Sequence, residues 1–148
     1  MLRGIHPLLG PDLLYALKSM GHGDDIVIAD ANFPSSSMGP DVIRADGVSA
    51  TAMAEAILTH MPLDTFVPQS AWRMEVVGDP KAVPDVCAEF QQIVTRRAGD
   101  FSIASVERFA FYEMARKAAY IVATTEFRLY GNLILKKGVV HPHEVQFD

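Results

Sequence analysis

The sequence predicts an α/β fold built on a mixed β-sheet. Short runs rich in Ile and Val recur along the chain, segments with helical apolar spacing lie between them, and Gly and Pro are scattered as punctuation. With 148 residues, 49% of them apolar, the chain fits one domain with a sizeable core. That domain is expected to span residues 1–148, with 139–148 as a peripheral tail.

The elements follow in order. Leu13, Leu14, Leu17 and Met20 recur at helical spacing, with Pro11 or Asp12 as the start and Gly21 as the stop. Ile26 to Ala29 is a buried-strand run bounded by acidic residues, and Asn32 to Pro40 is a Ser- and Pro-rich loop. Val42 to Ala45 is a second strand. Ser49 or Thr51 caps a helix carrying Met53, Ile57, Leu58 and Met61, which Pro62 ends. Trp72 to Val77 alternates as a strand. Val83, Val86, Cys87, Phe90 and Val94 mark an amphipathic helix that stops before Gly99. Ser102 to Val106 is a short strand, and Arg108 to Ala118 is a helix. Tyr120 to Thr124 and Leu133 to Leu135 close the chain as two strands, close enough in sequence to be expected as an antiparallel pair.

Charge and cysteine content narrow the function. Thirteen Lys and Arg against eighteen Asp and Glu leave a net charge of −5, which argues against broad nucleic-acid binding. Cys87 is the single cysteine, so an internal disulfide is impossible and a reducing compartment is expected. The N-terminus lacks the apolar run of a signal peptide, and no stretch approaches the roughly 20 apolar residues of a membrane span. A soluble cytoplasmic protein is expected. Glycine-rich dinucleotide, P-loop and paired-cysteine zinc motifs are missing from the sequence.

Three segments can carry chemistry. In the first, His22 lies between Gly21 and Gly23, and Asp30 follows eight residues later at the end of the Ile26–Ala29 strand. Flanking glycines let the backbone turn sharply and let a ligand approach the imidazole, and residues beyond strand carboxyl ends line crevices in α/β sheets. The bland alternatives are a turn with a surface histidine and an Asx turn at Asp30. A strand of this length separates His22 from Asp30 by about 17–20 Å, so the loops must curl back or a second subunit must complete the site. The second segment is Glu107 to Glu113. Arg108 there is open to either a structural or a sugar-reading role, while Phe109 and Phe111 read as core. In the third, Tyr130 and Asn132 are two apart at a strand start and so point the same way, either as a turn or as hydroxyl readers. Trp72, the methionines and Cys87 read as core. His6 and His60 have no recognisable context, and His141 and His143 lack further metal ligands.

Taken together, these stretches resemble the family of small sugar mutarotases with a fucose branch and a ribose (D-ribose pyranase) branch. The stretches are Leu2 to Leu9, Gly21 to Asp24, Asp30 to Pro34, Val42 to Gly47, Glu107 to Glu113 and Leu129 to Gly138, and the resemblance runs from Leu2 to about Val139. The Glu-Arg-Phe-Ala-Phe-Tyr segment is similar to the fucose branch. The resemblance implies a three-layer α/β/α fold that assembles into rings, often decamers, with sites at subunit contacts. It implies His22 as the acid/base and Asp30, Arg108, Tyr130 and Asn132 as the residues that hold the sugar. L-Fucose is the first expectation, with D-ribose pyranose–furanose exchange and a non-catalytic monosaccharide-binding protein as alternatives. Ring opening and reclosure involve no redox change, and imidazole can give and take a proton near neutral pH. No cofactor and no metal is therefore expected.

Overall fold

The computed structural model describes residues 2–145. Its helices are α1 (Pro11–Ser19), α2 (Ala50–Leu58), α3 (Asp85–Ala98) and α4 (Arg108–Lys117). Its strands are β1 (Asp25–Ala29), β2 (Asp41–Ala45), β3 (Ala71–Met74), β4 (Ala104–Val106), β5 (Tyr120–Thr124) and β6 (Leu133–Lys136). Two short 3-10 turns, Ser35–Ser37 and Pro142–Glu144, complete the set. The helix starts follow local chemistry: Ser49 accepts the Ala52 N–H, and the Glu107 carboxylate accepts the N–H groups of Phe109 and Ala110.

The six strands form one mixed sheet in the order β2-β5-β1-β6-β3-β4. β2, β5 and β1 run parallel, β6 is antiparallel to both β1 and β3, and β4 is parallel to β3. β6 is the antiparallel strand the sequence called for, but its partner is not β5. The segment 125–132 carries the chain over the end of β1, so β1 sits between the last two strands. Eight connecting residues are enough for that crossing, whereas a tight hairpin would need two to five.

Alternating side chains of the central strands feed two cores. Ile26, Ile28, Val122, Leu133 and Leu135 pack with α1, α2 and α3 on one face. Val27, Ala29, Ile121 and Ile134 pack with Phe111 and Ala115 of α4 and with Phe33 and Met38 on the other. The sheet is therefore covered on both faces, which gives the expected three-layer α/β/α arrangement and explains why β1 reads as an unbroken apolar run. Cys87 and most of the methionines are buried as expected, but Phe109 is 60% exposed while Phe111 is fully buried. The two are two positions apart on α4 and so face different sides of it. His60 also gains a context, because its Nε2 accepts the His6 N–H. Residues 139–145 of the tail lie at the surface, where the rings of His141 and His143 stack; 146–148 lie outside the described residues.

The end of β6 fastens two loops. The Lys137 N–H donates to the Asp24 carbonyl, its carbonyl accepts the Gly23 N–H, and its ammonium caps the Leu17 and Met20 carbonyls of α1. Burial pushes the Lys137 ammonium pKa down. The Asp64 N–H donates to the Lys136 carbonyl, and the Gly138 N–H donates to the Pro62 carbonyl. A Cβ on Gly138 would run into the Leu63 backbone. Gly138→Ala is expected to destabilise the fold by about 1–3 kcal/mol, measured by denaturant unfolding.

Candidate active site

Four of the five sequence-predicted site residues meet at one cleft, where β1 ends and β6 begins. The cleft holds about 210 Å³ and is lined by Asp30, Asn32, Arg108, Tyr112, Tyr130 and Asn132 with Phe33, Met74, Val77 and Leu129. It is smaller than the roughly 300–1,000 Å³ of drug-sized pockets. A wider hollow of about 390 Å³ lies across Asp30, against Ser35–Ser37 and the Arg44–Asp46 pair, but none of Arg108, Tyr130 and Asn132 reaches it.

Asp30 and Asn132 lock each other. The Asp30 N–H donates to Asn132 Oδ1 at 2.9 Å, and Asn132 Nδ2 donates to Asp30 Oδ2 at 2.7 Å. The first bond fixes the amide orientation, since a backbone N–H can only donate. Asp30 also accepts the Asn32 N–H at 2.9 Å, so the Asx turn read from sequence is present together with the cleft position. Burial raises the Asp30 pKa, and the bonds from Asn32 and Asn132 offset this only in part. The carboxyl therefore holds a proton more readily than an exposed one.

Arg108 opens α4, and its guanidinium carbon lies 4.6 Å from the centre of the Phe109 ring. Its Nε is buried with no hydrogen-bond partner among the described residues, which leaves a donor to satisfy at the cleft wall. Tyr130 is the one non-glycine residue with positive φ (65°) among the described residues, and its hydroxyl accepts the Val77 N–H at 3.0 Å.

His22 is not at this cleft. It sits in the loop before β1, at the far end of the strand from Asp30, so the loops do not curl back. Its Nε2 lies 2.9 Å from Asp64 Oδ1, and its ring packs 5.2 Å from Phe66. Ionised Asp64 can only accept, so Nε2 carries the hydrogen and Nδ1 is left as the proton acceptor. The His22 side chain is 46% exposed and that of Asp64 is 2% exposed. Burial alone would raise the Asp64 pKa, but the Phe66 N–H, His22 and Lys136 together hold it below its usual value.

The sequence reading missed Asp64. It lies two residues after Pro62, past the end of α2 and 42 residues from His22, and no spacing rule links the two. A depressed folded pKa contributes stability above the ordinary carboxylate value near 3.9 and loses it as pH falls through the lower folded value. Followed by circular dichroism, wild type is expected to lose stability more steeply below about pH 4 than Asp64→Asn, in which the contributions of other low-pKa carboxylates such as Glu126 remain.

A three-layer α/β/α unit with a small cleft of hydroxyl-pairing groups at the strand ends belongs to the class of proteins that take small polar ligands. Residues 3–140 match the RbsD / FucU transport protein family. A Bos taurus relative, "Fucose mutarotase", is 50% identical over 151 residues, covering 98% of each chain, and a Homo sapiens relative of the same name is 50% identical over 145 residues, covering 94% of each. The solved fucose mutarotase in complex with L-fucose from Streptococcus pneumoniae is 44% identical, with a TM-score of 0.89 over 95% of this chain and 100% of that one. The chain belongs to the RbsD / FucU family.

Proposed function

We propose that this protein is an isomerase that interconverts the α and β anomers of L-fucose. The observation that carries the reading is the convergence of Asp30, Arg108, Tyr130 and Asn132 on one small cleft, in a chain half identical to proteins named fucose mutarotase. Arg108 Nε and the Asp30–Asn132 pair offer fixed donors and acceptors to ring hydroxyls, while Phe33, Met74 and Val77 offer apolar surface to ring C–H groups and a methyl.

The reaction needs two proton transfers. The O1 proton leaves to a base, the C1–O5 bond breaks, C1 becomes the aldehyde carbon, and O5 takes a proton from an acid. Rotation about C1–C2 and the reverse steps close the ring on its other face and return both protons. His22, oriented by Asp64, carries one transfer and Asp30 the other. The chain acts as one catalytic domain, with the tail from residue 139 outside the machinery.

The two groups lie at opposite ends of β1, so the site is shared between copies: the His22 loop of one faces the cleft of the next. Exposed apolar side chains at both places support this, with Phe66 68% exposed beside His22 and Leu129 65% exposed at the cleft rim. Such a head-to-tail contact closes into a ring when its rotation permits, and the family resemblance points to a ring, often a decamer. Among the described residues no helix is long and apolar enough to cross a membrane, and with its lone thiol the protein is assigned to the cytoplasm.

Saturation-difference NMR tests the reading by irradiating one H1 resonance of L-fucose and observing the other, with D-ribose as a parallel control. Transfer with L-fucose at low enzyme concentration is expected. Ligand broadening without transfer would leave a binding protein.

A further inference from the structure

The segment 125–132 carries two sugar-reading residues, Tyr130 and Asn132, and its backbone is not regular. Tyr130 holds a left-handed φ of 65°, which a bulky residue keeps only when its neighbours enforce it. Those neighbours are on the same segment. Glu126 is 1% exposed. Its Oε1 accepts the Arg128 N–H at 3.0 Å and Arg128 Nε at 2.9 Å, and its Oε2 accepts Arg128 Nη2 at 2.9 Å. Arg128 goes on to Glu89 of α3 at 2.8 Å and to Thr51 of α2 at 3.4 Å. The loop is thereby tied to two helices.

The same pair touches the cleft from behind. The Glu126 carbonyl accepts the Ala31 N–H at 2.8 Å, next to Asp30. A Cβ on Gly131 would lie 2.7 Å from Glu126 Cγ and 3.5 Å from the Asp30 Cβ, so the glycine lets the Glu126 side chain stand directly behind Tyr130–Asn132. On the far side, the Cys87 thiol donates to the Tyr130 carbonyl at 3.5 Å.

We propose that Glu126 and Arg128 are positioning residues for the sugar cleft, holding Tyr130 in its left-handed conformation and Asn132 against Asp30. Neither side chain lines the cleft, so both act through the loop. The inference rests on the L-fucose reading for its kinetic consequence but not for its conformational one. Tyr130 and Asn132 bind the sugar and His22 lies at the other end of β1, so loosening this loop acts mainly on KM, with a smaller effect on kcat through Asp30.

The test uses Arg128→Met, the double variant Glu126→Gln/Arg128→Met, and Cys87 as a reporter. Cys87 is the single cysteine and is 1% exposed, so its labelling by a thiol reagent reads release of the Tyr130 carbonyl. The double variant removes both charges and so avoids a buried carboxylate without its partner. In both variants Cys87 labelling is expected to accelerate about tenfold or more and the KM for L-fucose to rise by a similar factor, about 1.4 kcal/mol of binding, with any fall in kcat smaller than that rise and cooperative unfolding retained. Unchanged labelling in a folded double variant, or a fall in kcat with KM unchanged, overturns the assignment. Faster labelling in a protein whose wild type gives no L-fucose exchange upholds the positioning role and removes the substrate reading instead.

Discussion

The His22→Ala protein is expected to fold normally, to keep its affinity for L-fucose within a few-fold, and to lose about 10²–10⁴-fold in kcat for anomer exchange. The fold survives because the His22 side chain is nearly half exposed and contributes one hydrogen bond, to Asp64. Asp64 keeps the Phe66 N–H in its absence. Affinity survives because the hydroxyl-pairing groups stand at the cleft, at the other end of β1. The size of the loss follows from what a placed acid/base supplies and from the slow exchange that sugars undergo in water without help. Asp64→Asn is expected to fall between the two, since the imidazole stays in place while the acceptor that fixes its tautomer is weakened. Saturation transfer between the two H1 resonances measures all three proteins. Full exchange by His22→Ala would remove the imidazole from the reaction.

Which parts of this were legible in the sequence depends on where the information lay. β1 and β5 announced themselves because burial on both faces demands apolar residues at every position, as in Ile26 to Ala29. The helices were legible from their spacing and caps, including Ser49 and the stop before Gly99, though α2 ends at Leu58, short of Met61 and Pro62, and α3 begins at Asp85, leaving Val83 outside it and exposed. Strand order was not, because an eight-residue connection can turn back or cross over, and only the packed sheet decides. Position alone left Asp30, Arg108, Tyr130 and Asn132 each open to a structural reading; the family resemblance implied them as a set, and the fold brings them to one cleft. Asp64, Glu126 and Arg128 could not be found that way. Glu126 and Arg128 alternate with Phe127 and Leu129 in a connection that carries no motif, and only the packing of Gly131 and the Arg128 contacts with α2 and α3 show the carboxylate buried and paired. His22 and Asp30 stand at opposite ends of β1, as the roughly 17–20 Å of strand between them requires.

That separation leads to the second large effect. His22→Ala and Asp30→Asn are each expected to be nearly inactive alone, and mixed rings of the two are expected to regain about a quarter of wild-type activity under random assembly. A shared site works when one copy keeps His22 and the neighbouring copy keeps Asp30, and each condition holds half the time. A site contained in one chain could not recover, since every copy in the mixture carries one of the two defects. Asp30→Asn suits the test because it removes the carboxylate while keeping a side chain of the same shape against Asn132. The mixed rings are made by co-expressing the two chains with different tags and isolating assemblies that carry both. Recovery would show that the imidazole and the carboxyl acting on one sugar come from different copies, as a contact between the Phe66 side of one copy and the Leu129 rim of the next would provide. Mixed rings that stay as inactive as either parent would place the complete reaction in a single chain, and would require a base near the cleft other than His22.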